Sequence, residues 1–186
     1  LTFTGSGGPD SIKIIGSVPV TIKGRDGSDM ITGSDGADTI TGGPGDDTIE
    51  GGDGSDTVEF SGDMDDFTFA VAADGTLTVT DVGTGNSLGV DTISGVETLS
   101  FNDGDLAVTT STGGEVTLTG SSADDVITLT GSGAGTVYGG LGDDTLTGGD
   151  GDDTLSGGYD DDTLYGGSGD DSLSGGDGYD SLEGGS

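Results

Sequence analysis

The sequence predicts an all-β protein in which two glycine- and aspartate-rich repeat blocks are joined by a small antiparallel β hairpin segment. Three observations predict it. A nine-residue unit, G-G-x-G-x-D-x-U-x with U a large apolar residue, recurs in strict register. A shift of 115 residues, with no gap, places Gly5 on Gly120, Asp10 on Asp125, Ile22 on Val137 and Asp29 on Asp144. Between the two arrays the period stops and apolar and polar residues alternate singly, which is the pattern of half-buried strands. The expected segments are 1–59, 60–115 and 116–186.

In the first block the unit fits Gly24–Thr32, Gly33–Thr41, Gly42–Glu50 and Gly51–Glu59, with Arg25 and Ser34 in place of second glycines. In the second it fits Gly139–Thr147, Gly148–Ser156, Gly157–Tyr165, Gly166–Ser174 and Gly175–Glu183, with Asp160 at one fourth position. Weaker copies stand at Gly5–Lys13 and Gly120–Thr128. Each is followed by a degenerate unit that keeps only its apolar end, Ile22 or Val137. Residues one to six of the unit read as a turn, because glycine permits the positive φ angles of a tight loop. Residues seven to nine read as a three-residue strand with U facing inward, and a β-branched Thr at position seven suits it. The core is then a ladder: Ile12, Ile22, Ile31, Ile40, Ile49 and Val58 in one block, Ile127, Val137, Leu146, Leu155, Leu164, Leu173 and Leu182 in the other.

One apolar residue in nine is a thin core, and composition makes the problem worse. The 186 residues carry 36 acidic side chains against three basic ones, Lys13, Lys23 and Arg25, for a formal charge of −33. Low hydrophobicity with high net charge predicts disorder unless something neutralises the acids. There is no Cys for a disulfide and no His or Trp, so the remaining staple is a metal. Bare glycine carbonyls beside an aspartate at the sixth position of each unit are the oxygen ligand set of calcium. The candidate ligands are Asp10, Asp29, Asp38, Asp47, Asp56, Asp125, Asp144, Asp153, Asp162, Asp171 and Asp180. The fifth-position carboxylates Asp46, Asp143, Asp152, Asp161 and Asp170 read as solvated charge.

The nonapeptide, nine near-consensus copies in register over about two thirds of the chain, resembles the RTX (repeats-in-toxin) calcium-binding module. The resemblance implies a parallel β-roll in which two nonapeptides make one coil. It also implies that a calcium ion lies between the turn of repeat n and that of repeat n+2. The pairs would be Asp29 with Asp47, Asp38 with Asp56, Asp144 with Asp162, Asp162 with Asp180, and Asp153 with Asp171. Asp10 with Asp29 and Asp125 with Asp144 extend the scheme. Five to seven ions are expected, and seven would bring the charge from −33 to −19.

In the middle segment "FTFAVAADGTLTVTD", Phe67–Asp81, alternates on both sides of Asp74-Gly75 and predicts a hairpin. "VDTISGVETLSFNDG", Val90–Gly104, predicts a second strand pair around Ser94-Gly95. Phe60, Phe67, Phe69 and Phe101 supply a small conventional core. The expected role is to cap the first block and set its angle to the second, with Leu106–Val116 as the joint.

The scarcity of cations excludes nucleic acid as a partner and disfavours anionic membranes. No apolar run reaches the ~20 residues of a membrane span. Without His or Cys there is no triad and no imidazole or thiolate metal site, and the repeat accounts for the carboxylates, so the chain is expected not to be an enzyme. A start without Met and a stop within a repeat read as a piece of a larger chain. The resemblance implies a calcium-folded scaffold of a secreted toxin, adhesin or extracellular hydrolase, exported by type I secretion. The alternative is a non-catalytic polysaccharide-binding module resembling the R-modules of mannuronan C5-epimerases, which calls for a basic stripe built from Lys13, Lys23 and Arg25.

Overall fold

A computed structural model describes residues 1–72, 76–84, 88–111 and 115–186. Its strands, in chain order, are β1 (Thr2–Thr4), β2 (Ser11–Lys13), β3 (Thr21–Lys23), β4 (Met30–Thr32), β5 (Thr39–Thr41), β6 (Thr48–Glu50), β7 (Thr57–Glu59), β8 (Phe67–Val71), β9 (Leu77–Asp81), β10 (Val90–Ser94), β11 (Thr98–Ser100), β12 (Asp105–Thr110), β13 (Val116–Thr119), β14 (Val126–Thr130), β15 (Thr136–Gly140), β16 (Thr145–Thr147), β17 (Thr154–Tyr159), β18 (Thr163–Tyr165), β19 (Ser172–Asp177) and β20 (Ser181–Glu183). A single 3-10 turn at Met64–Asp66 is the one helical element among the described residues.

In both blocks each nonapeptide supplies one strand, and successive strands alternate between two sheets. Each strand therefore pairs in parallel with the strand two units away: Ile31 lies beside Ile49, Ile40 beside Val58, Leu146 beside Leu164 and Leu155 beside Leu173. The parallel β-roll that the RTX resemblance implies is the architecture observed. Ile22, Ile31, Ile40, Ile49, Val58, Ile127, Val137, Leu146, Leu155 and Leu164 are buried between the sheets. Ile12 and Leu173 are only partly buried, and Leu182 is 45% exposed. These three belong to the outermost coils, where a side chain has a neighbouring coil on one side alone.

Both sheets run through the middle segment without a break. One has the order β1-β3-β5-β7-β11-β12-β13-β15-β17-β19 and the other β2-β4-β6-β10-β9-β8-β14-β16-β18-β20. Each contains a single reversed strand, β12 in the first and β9 in the second, antiparallel to both neighbours. One reversal per sheet returns the next strand to the original direction. As a result β10 is parallel to β6, β8 to β14, and β13 to β15.

Three expectations for the segment are corrected or refined. The hairpin arms around Asp74-Gly75 do pair as β8 and β9, although the turn itself lies outside the described residues. Ser94-Gly95 is not a hairpin: β10 and β11 belong to different sheets, and Gly95 turns the chain from one to the other. The alternating pattern is the same for a hairpin arm and a coil strand, and the open edges of β6 and β7 decide the pairing. Leu106–Val116 is no free joint, because Leu106–Thr110 lie in β12 and Val116 begins β13, paired with it; its residues 112–114 lie outside the described set.

Candidate metal centre

The turns stack along each side of the roll, and the sixth-position aspartates stack with them. Their backbone N–H groups and carboxylates form a ladder. The Asp29 N–H donates to Asp47 Oδ1 (2.8 Å), Asp38 to Asp56 (2.8 Å), Asp144 to Asp162 (2.9 Å), Asp153 to Asp171 (2.9 Å) and Asp162 to Asp180 (3.1 Å). Asp10 donates to Asp29 (2.8 Å) and Asp125 to Asp144 (2.9 Å). The seven juxtapositions are those the n, n+2 scheme requires. Asp29, Asp38, Asp47, Asp56, Asp125, Asp144, Asp153 and Asp162 are buried, while Asp10, Asp171 and Asp180 are half-buried.

The second carboxylate oxygen defines the candidate site. The Oδ2 atoms of Asp29, Asp47, Asp56, Asp144, Asp153, Asp162 and Asp171 are buried with no hydrogen-bond partner. A buried charged oxygen left unpaired is costly. Each faces the first glycine of its own turn. A β-carbon placed on Gly24 would collide with Asp29 Oδ2 and stand 2.6 Å from the Gly42 carbonyl oxygen. On Gly139 it would collide with Asp144 Oδ2 and stand 2.7 Å from the Gly157 carbonyl, and Gly148 and Gly166 repeat the arrangement with Asp153 and the Gly166 carbonyl, and with Asp171 and the Gly184 carbonyl. The glycine thus keeps open a small cradle that holds one carboxylate oxygen and a carbonyl from the next coil on the same side. Among the described residues no three acidic side chains converge as a metal cluster. The donors are single carboxylates and main-chain carbonyls, all hard oxygens, which suits calcium. These residues would hold the ion, and it would supply the positive charge that the orphaned oxygens lack.

Burial alone acts strongly on these acids. It pushes Asp47 up to about 6 and Asp144 up to about 7, partly offset by the backbone N–H groups of Asp29 and Asp125, with neighbouring carboxylates adding to the rise. Asp56, Asp125, Asp153 and Asp162 are raised for the same first reason.

Two residues of the ladder were missed by sequence reasoning. Asp91 is buried and accepts the Asp47 N–H (2.8 Å), and Glu97 Oε2 accepts the Asp56 N–H (2.8 Å). Burial pushes Asp91 up to about 7. The Gly95 carbonyl closes the cradle of Gly51 and Asp56. The signal was present: Asp91-Thr92-Ile93 and Glu97-Thr98-Leu99 repeat the acid-Thr-apolar core of the nonapeptide, but the turn between them is shortened.

The fifth-position carboxylates are exposed, as read, yet they form an outer ladder. The Asp161 N–H donates to Asp143 Oδ1 (3.0 Å), Asp170 to Asp152 (2.9 Å) and Tyr179 to Asp161 (2.8 Å). The three cations are split between the sheets: Lys13 is on β2 of one sheet and Lys23 on β3 of the other, with Arg25 two residues on in the turn.

Among solved structures the chain is similar to the extracellular lipase LipA from Serratia marcescens, with 23% identity and a TM-score of 0.31 over 92% of this chain. The chain spans 32% of that lipase. No curated protein matches the chain. The family model of the RTX calcium-binding nonapeptide repeat, which describes four copies, matches residues 23–58, 129–164 and 156–186. Those stretches make up half of the chain and contain all seven orphaned carboxylates, so the chain belongs to the RTX calcium-binding nonapeptide repeat family.

Proposed function

We propose that this chain is a non-catalytic, calcium-dependent scaffold of a larger secreted protein, exported unfolded by type I secretion and folded outside the cell. The observation that carries the reading is the set of seven buried Oδ2 atoms without a protein partner. In low calcium the coils must bury bare negative charge, and a chain of net charge −33 stays expanded. Extracellular modules of this kind bind calcium at ~0.1–1 mM, well above cytosolic levels, so ion binding and folding coincide after export. The non-catalytic reading is supported by a sequence with no His or Cys, in which the repeat accounts for the aspartates as ion ligands or surface charge. The scattered cations work against the polysaccharide reading.

The experiment is a calcium titration of the full chain followed by far-ultraviolet circular dichroism. A cooperative rise in β signal is expected, with magnesium a poor substitute because it demands tight octahedral geometry. Full β signal in excess chelator would refute the reading. Retention on alginate in the presence of calcium would instead favour the polysaccharide module.

A further inference from the structure

Four aspartates of the ladder lack an orphaned oxygen: Asp180, half-buried in the outermost coil although its second residue, Gly176, has a positive φ (122°), and three in inner or opening turns that break the rule by their own hydrogen bonds. In these three turns the second position is serine. The Ser6 N–H donates to Asp10 Oδ2 (2.5 Å), Ser34 to Asp38 Oδ2 (2.6 Å) and Ser121 to Asp125 Oδ2 (2.6 Å). Their hydroxyls reach the other oxygen of the same carboxylates, at 3.2, 3.1 and 3.3 Å. In all seven turns whose Oδ2 is orphaned the second residue has a positive φ: Arg25 (85°), Gly43 (119°), Gly52 (117°), Gly140 (127°), Gly149 (97°), Gly158 (127°) and Gly167 (105°). None of the three serines has a positive φ.

The physical cause lies in the first peptide unit of the turn. A β-carbon resists the left-handed region, so serine holds that unit with its N–H aimed at the carboxylate. Glycine lets the unit take the other orientation. In the Arg25 turn the N–H is directed away, to the Gly42 carbonyl (2.8 Å). Arg25 adopts the left-handed shape despite its side chain, and its turn is orphaned like the glycine turns, so the decisive variable is backbone conformation rather than residue type.

We infer that the second residue of each nonapeptide decides whether its turn takes calcium, and that the serine turns at Asp10, Asp38 and Asp125 close without an ion. An N–H aimed into the cradle satisfies the oxygen that would otherwise bind the cation, and its positive end repels one. The inference rests on the calcium reading above and deepens it. Three sites belong to the first block, at Asp29, Asp47 and Asp56, and four to the second, at Asp144, Asp153, Asp162 and Asp171. In each block the first near-repeat turn, Gly5–Asp10 or Gly120–Asp125, is self-sufficient, a metal-free turn on which the ion-bearing coils stack.

Native mass spectrometry of the full chain in calcium tests this by counting ions. Wild type should saturate at seven. Ser34→Gly and Ser121→Gly should each bind one ion more, because glycine frees Oδ2. Gly149→Ser should bind one fewer, because a side chain disfavours the positive φ of that residue (97°) and favours the orientation in which its N–H meets Asp153 Oδ2. Both serine variants remove a β-carbon and keep the fold within reach if Gly149→Ser fails to form. Unchanged counts in the two serine-to-glycine variants would overturn the rule while leaving calcium binding intact. A wild type that binds no calcium would overturn the rule and the proposed function together.

Discussion

In the repeat blocks the register advances by eighteen residues per coil, and each coil buries two aliphatic side chains against two carboxylates. Between Phe60 and Val108 the chain packs instead like an ordinary small β protein. Phe60 stacks on Phe101 (5.4 Å between centroids), Phe67 tilts against both (5.2 and 5.1 Å), and Phe69 meets Phe101 edge-on (6.0 Å). Met64, Leu77, Val79, Leu99 and Leu106 are buried around them. The same two sheets pass through both regions, so strand pairing does not distinguish them. On the proposed reading the difference is what holds the sheets together: aromatic burial in the middle, and compensation of the orphaned carboxylates in the blocks.

That contrast can be broken from either side. Phe101→Ala should give the largest single loss, about 3–5 kcal/mol for a truncated core aromatic, without altering how many calcium ions bind. A changed ion count for the folded variant in native mass spectrometry would show that the two regions are not separable in this way. Asp162→Ala should cost less but act through calcium. It removes the acceptor of the Asp144 N–H, worth about 1–3 kcal/mol when a buried group is left unsatisfied. It also removes an ion site, worth about 1.4 kcal/mol at tenfold saturation. Its defect should shrink as calcium is lowered, since wild type then loses the ion as well.

Acid offers a gentler probe. Burial holds Asp144 at about 7 in the fold, well above the usual carboxylate range. The folded state therefore binds the proton more tightly than the unfolded chain, and stability in chelator should rise as pH falls from about 7 toward 4. Protons and calcium compete for the same oxygens, so the calcium midpoint should move to higher concentration over that range. Titrations at pH 5 and 7.5 with the same midpoint would contradict the assignment. Asp170→Ala should matter least, within about 0.5 kcal/mol, because its carboxylate is exposed.

The repeat blocks were legible because position and role coincide there. Every ninth residue from Ile31 to Val58, and from Leu146 to Leu164, lies where the period places it. The paired aspartates follow from the same arithmetic once two units make a coil. The middle was legible only as strands. Asp91 and Glu97 continue the acidic ladder through a shortened turn, and a strict nine-residue count passes over them. The reversal of β9 and β12 depends on which strand edges are open, a non-local fact that alternation does not carry. By sequence Ser34 is only a residue in place of a second-position glycine. Its meaning lies in the direction of one N–H, which depends on a backbone angle and on an acceptor four residues away.

The central claim is that calcium, not apolar burial, holds the coils of the blocks. Residue-resolved amide hydrogen exchange on the full chain, in calcium and in excess chelator, tests it most directly. The account predicts that the Thr48, Thr57, Thr163 and Ser172 N–H groups, which donate to carbonyls of the preceding coils, lose nearly all protection in chelator, while β8 and β9 lose much less. Equal protection of those four amides with and without calcium would contradict it.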